Sequence, residues 1–125
     1  MIHIEQISPI ATILLDAAKA RRTATYTAIY HVFGKEVPDE DVFDTVEAAD
    51  RALSYSTFAI YSAVLAKKDT GLPGSGFFDI YRNVRSAEYK DIAGDTILQH
   101  LTQEQQQKMV DLERPRVYAH ANEYF

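Results

Sequence analysis

Apolar side chains recur three and four residues apart along the first half of the chain. Ile10, Ile13, Leu14 and Ala17 fall on one stripe while Asp16 and Lys19 turn away from it, the pattern of an amphipathic helix. Ser8-Pro9 supplies a side-chain cap and the residue best tolerated at a first helical position, so the helix is predicted to open there and to end at Arg21-Arg22. Thr25 can cap a second, short helix carrying Tyr26, Ile29, Tyr30 and Phe33 on one side, with Gly34 as its left-handed stop. A third helix is predicted from Asp39 to about Tyr55. Its acidic start suits the helix dipole, and Val42, Phe43, Val46, Ala49 and Leu53 form its inner stripe, with Asp44, Glu47, Asp50 and Arg51 facing out.

The pattern then changes. Phe58 to Ala66 is nine residues without a charge, which reads as a buried strand, with helix left open by its alanines. Three glycines and Pro73 between Lys67 and Gly76 predict a turn. Phe77 to Tyr81 is then expected to return beside the first strand as a β-hairpin. The last third reads as helix: Thr102 to Gln105 fits a capping box, Met109, Val110, Val117, Tyr118 and Ala121 supply an inner side, and Pro115 predicts a kink or split. The expected fold is therefore mainly α with a small β-hairpin. Residues 1–125 form one domain, with a winged helix-turn-helix-like core over about 8–81 and a C-terminal helical extension over about 86–122.

Composition narrows the chemistry. At 125 residues with 46% hydrophobic and 25% charged positions, the chain can bury one core and no second lobe. The absence of cysteine excludes disulfides, thiolate metal sites and cysteine nucleophiles. The net charge of -5 gives no global attraction to nucleic acid or anionic lipid, so any such binding has to be local. No stretch has the length of an apolar membrane span and Met1 to Glu5 does not open a leader, so the expected location is the cytoplasm.

Arg22-Thr23-x-Thr25-Tyr26-x-x-Ile29 resembles the start of the winged-helix domain of the alkylguanine-DNA alkyltransferases and their alkyltransferase-like relatives. Their Pro-Cys-His-Arg segment has no counterpart, so the resemblance extends to a scaffold without alkyl transfer. The chain also resembles a group of small, uncharacterised bacterial winged-helix-like proteins. It shares with them Arg22 to Tyr26, the Gly-x-Pro-Gly-x-Gly-Phe-Phe run from Gly71 to Phe78, and Val-Tyr-x-x-Ala from Val117 to Ala121.

Basic side chains exceed acidic ones between residues 63 and 90. Lys67 and Lys68 would lie at the tip of the wing, joined by Arg21 and Arg22 and followed by Arg82 and Arg85, a set suited to backbone contacts on double-stranded DNA. Scattered solubilising charge is the plainer reading of the same residues. Asp44, Glu47 and Asp50 would repel phosphates, so the third helix is read either as a solvated face or as a surface for a basic protein partner. Gly71 to Gly76 matches no phosphate-binding loop motif and reads as a turn. His3, His31, His100 and His120 form no ligand pair, no nucleophile is set up, and no metal or cofactor is expected. The resulting expectation is a non-catalytic domain for nucleic-acid-associated regulation, with a protein-interaction module, acting through the third helix or by self-association, as the alternative.

Overall fold

The computed structural model describes residues 1–125. Six α-helices, α1 (Ile4–Lys19), α2 (Tyr26–Val32), α3 (Asp39–Leu53), α4 (Ser75–Val84), α5 (Ser86–Ala93) and α6 (Gln103–Tyr124), surround one short sheet of β1 (Ala24–Thr25) and β2 (Leu65–Ala66). The strands run parallel, pairing Ala24 with Leu65 and Thr25 with Ala66. A single cluster of 27 buried apolar residues draws on every helix, with α1 packed most extensively on α3. No helix is long and apolar enough to cross a membrane.

Several local signals act as the sequence predicts. The Thr25 side chain accepts from the Ala28 amide, Gly34 stops α2 at a φ of 66°, and Thr102 with Gln105 closes a reciprocal capping box. Helix α1 instead opens four residues before Ser8, with Pro9 inside it. Tertiary contacts order that extra turn: the His3 amide donates to Thr45 Oγ1, and the Met1 ammonium lies between Asp41 and Asp44 at 3.0 and 2.7 Å. Helix α6 runs unbroken through Pro115, which lies on its exposed face.

The predicted hairpin does not form. Phe77, Phe78 and Tyr81 are spaced as a helical stripe and are buried as one in α4, while Asp79 and Arg82 point outward. Residues 59–65 are buried, as the uncharged run implies, but they hold a 3₁₀ turn at Tyr61–Val64, and the strand that follows is only Leu65–Ala66. A buried backbone needs hydrogen-bond partners, and here charged side chains supply many of them. Glu113 accepts from the Ile60 amide at 3.0 Å, and Asp50 takes the amides of Tyr61 and Ser62 at 2.6 and 3.0 Å. Arg114 donates to the Ala63 and Gly71 carbonyls, both at 2.8 Å. With these partners the segment does not require a neighbouring antiparallel strand.

Candidate binding surfaces

The site residues predicted from sequence divide into two groups. Asp50 is 1% exposed and is a backbone anchor, which corrects its assignment to a partner-binding face. It follows Val46 by four residues and so falls on the inner stripe of α3. Burial pushes its carboxyl up to about 6, against the Ser62 and Tyr61 amides, which favour the charged form, and the nearby Glu113 charge adds to the rise. Arg85 is also corrected. It forms an ion pair with the fully buried Glu113 at 2.8 Å and donates to the Ser56 and Thr57 carbonyls, so it is not free for phosphate. Arg82 lies over the Tyr89 ring, 5.8 Å from its centroid.

Glu113, Arg116, Glu88 and Tyr81 complete the polar network around Arg85. Arg116 bridges Glu113 and Glu88 at 2.9 and 2.6 Å, and that pairing holds the Glu88 carboxyl below its usual range. The Tyr81 hydroxyl, raised by burial, donates to Glu88 at 2.6 Å. Sequence reasoning passed over Glu113. Its signal is a lone acid in the column Met109, Glu113, Val117, Ala121, each four residues from the next and all buried.

Arg21, Arg22, Lys67 and Lys68 behave differently. All four are exposed and none enters an ion pair. The parallel register keeps the two pairs apart: Arg21 and Arg22 precede β1 while Lys67 and Lys68 follow β2, so they flank opposite ends of the short sheet, with the lysines beside Tyr26 and Thr27. The segment Lys67 to Leu72 is a tight turn, closed by the Lys67 amide on the Leu72 carbonyl at 2.9 Å and the Gly71 amide on the Lys67 carbonyl at 2.8 Å. Arg21 has a φ of 54° and is the only non-glycine residue in the left-handed region, a conformation that costs a side-chain-bearing residue about 1 kcal/mol relative to glycine.

Lys67 and Lys68 also wall a cleft of about 600 Å³, together with Tyr26, Tyr30 and Phe43. Tyr30 and Phe43 are 37% and 47% exposed, so of the α2 stripe expected in the core, Tyr30 faces this opening. Past Tyr26, Phe43 and Gly74 the cleft continues into a crevice of about 80 Å³, lined by Asp44 and Glu47 of α3, Ser62, and the start of α4. The Gly74 amide donates to the Tyr26 hydroxyl at 2.6 Å, whereas the Ser75 and Gly76 amides have no acceptor in the protein. The Ser62 hydroxyl is buried beside the Asp50 carboxylate and favours its charged form.

A third surface lies at the far end of α3 and α6. Tyr55, Phe58, Tyr124 and Phe125 are 52–78% exposed and border a groove with His120. No group of three or more His, Asp or Glu residues is placed to hold a metal ion. No family model, curated protein or solved structure matches the chain.

Proposed function

We propose that the domain is a non-catalytic binding module that docks on the backbone of double-stranded DNA through the exposed cations flanking its short sheet, Lys67 and Lys68 at one end and Arg21 and Arg22 at the other. The observation that carries this reading is that two exposed cation pairs without ion-pair partners flank one two-stranded sheet, Arg21-Arg22 before β1 and Lys67-Lys68 after β2, in a chain of net charge -5. No wing carries these contacts, since Phe77 to Tyr81 lies in α4; Lys67 and Lys68 stand on the tight turn that ends at Leu72. Helix α3 stays off the duplex, since Asp39, Glu40, Asp44 and Glu47 would repel phosphates.

Four phosphate contacts imply a log-log salt slope of about -3 to -4. Reversing Lys67 and Lys68 to Glu is expected to weaken binding about tenfold or more and to flatten that slope by about 2. Arg21→Gly separates binding from folding, because it should weaken binding while raising stability by roughly 0.5–1 kcal/mol as the left-handed position is relaxed. Fluorescence anisotropy on a random-sequence duplex across a salt series reads both variants. Affinity and slope that stay unchanged in the lysine variant would exclude the Lys67-Lys68 turn from the interface.

A self-associating interaction module is the second reading, and the exposed aromatic groove between α3 and α6 favours it. The acidic helix favours it less, because Asp44 is held by the Met1 ammonium and Glu47 by Arg51 at 2.9 Å. Under this reading sedimentation should show a dimer that Phe58→Asp returns to monomer.

A further inference from the structure

We infer that the cleft between α2, α3 and the Lys67 to Leu72 turn holds an unpaired base of single-stranded DNA, stacked against Tyr30 and Phe43, while Lys67 and Lys68 take the flanking phosphates. It rests on the lysine turn of the DNA reading and adds what the cleft beside that turn recognises. The local pattern assigns both rings to the core, Tyr30 to the α2 stripe and Phe43 to the α3 stripe, yet they stay 37% and 47% exposed and line one cleft. Aromatic faces open to water beside cations suit a single strand, because every base has a π face and every linkage a charge. The Tyr30 hydroxyl donates to Asp39 at 3.0 Å, which fixes the ring before any base arrives and lowers the cost of ordering it on binding.

Charge and size select the ligand. Lys67 and Lys68 are exposed, enter no ion pair and outnumber Asp69, the one acid on the lining, so this cleft is locally positive in a chain of net charge -5. An uncharged aromatic ligand would leave the lysines unmatched, and a bare anion would leave the rings uncovered. A nucleotide satisfies both. The cleft of about 600 Å³ falls within the range of about 300–1,000 Å³ typical of ligand clefts, which admits a base with its sugar and not a duplex. Paired bases in a duplex are stacked on one another and offer the rings no free face. Two successive lysines match two backbone linkages better than the single phosphate of a free mononucleotide, which favours a strand as the source. The Tyr26 hydroxyl accepts from the Gly74 amide at 2.6 Å and donates to no group of the protein, so its proton is available to a base carbonyl at the cleft wall.

Fluorescence anisotropy of the full chain with an oligothymidylate of about eight nucleotides tests the assignment, alongside an abasic strand of the same length, the matching duplex, and thymidine monophosphate as competitor. The oligothymidylate should bind about fivefold or more tightly than the abasic strand, and Tyr30→Ala and Phe43→Ala should each weaken it by about fivefold or more. Duplex affinity should move less than about twofold in the same variants, since paired bases do not reach the rings. Tyr30→Phe keeps the ring and should bind as the unaltered chain does. The abasic comparison uses the unaltered chain, so it decides the matter whether or not the alanine variants fold. Equal affinity for the abasic strand, folded alanine variants that keep full affinity, or thymidine monophosphate binding as tightly as the strand each overturns the inference. Those results leave the duplex reading standing, which fails instead if salt-dependent duplex affinity is missing or indifferent to Lys67 and Lys68.

Discussion

Glu113→Ala is expected to destabilise the fold by about 3–5 kcal/mol, the largest effect of any single truncation in the molecule. Glu113 is fully buried and its two oxygens accept from the Ile60 amide at 3.0 Å, Arg85 at 2.8 and 3.1 Å, and Arg116 at 2.9 Å. Truncation leaves the Ile60 amide without its acceptor and Arg85 as a nearly buried cation without its counter-ion, while Arg116 keeps Glu88. The loss is thus mainly the burial of an uncompensated charge rather than the worth of a favourable pair, and this distinction has a test. Replacing both partners by apolar residues of similar size, as in Arg85→Met with Glu113→Leu, should recover a large part of the loss. Urea denaturation of the two single variants and the double variant measures it. If Glu113→Ala costs under about 1 kcal/mol, or if the double variant is as unstable as the sum of the singles, this account of the centre fails.

The same residues explain why the outer helices were legible in the sequence and the centre was not. Helix α3 and the starts of α2 and α6 follow from local chemistry: an acidic first turn, a Thr25 cap and a Thr102–Gln105 box each act within one turn of chain. The path of residues 54–74 depends on Asp50, Arg85, Glu113 and Arg114, three of which lie eleven or more residues from the backbone groups they satisfy in the 3₁₀ turn or beside it. An uncharged run reports burial, and it does not report whether its amides face a strand or a carboxylate. Two clues were nevertheless present. Asp50 and Glu113 each occupy an inner-stripe position of an amphipathic helix, where an acid requires a partner. The spacing of Phe77, Phe78 and Tyr81 already suits a helix better than a strand. Of the predicted cations, Lys67, Lys68, Arg21 and Arg22 are exposed as expected of a hydrophilic run, whereas the burial of Arg85 was not legible, since its partner lies 28 residues further along the chain.

Asp50 gives the second large prediction, an inverted pH dependence on the acid side. In the folded chain its carboxyl is pushed up to about 6 by burial, against an ordinary value near 4 in the unfolded chain. Between those two values the folded state holds more protons than the unfolded state, so stability falls as pH rises from about 4 to about 6 and is level above that. A rise of about two pKa units sets a ceiling on the order of 3 kcal/mol for the change. Glu88 and Asp41 work in the opposite sense, because Arg116 and Tyr81 around one, and His3 and the Met1 ammonium around the other, hold them below the usual carboxylate range. Their stabilisation is complete above the ordinary carboxylate values and is lost as pH falls through the depressed ones, so it acts below about pH 4.5. The two effects together place the stability maximum near pH 4–4.5 rather than at neutrality. In Asp50→Asn the single side-chain oxygen can satisfy only one of the Tyr61 and Ser62 amides, while its NH₂ opposes the other, a cost of about 1–3 kcal/mol. The variant cannot titrate, so its deficit should be largest near pH 4 and narrow as pH rises to 7.5. Urea midpoints of both proteins between pH 4 and 8 decide the matter, and a wild-type midpoint that climbs steadily from pH 4.5 to 7 would show that Asp50 is charged throughout.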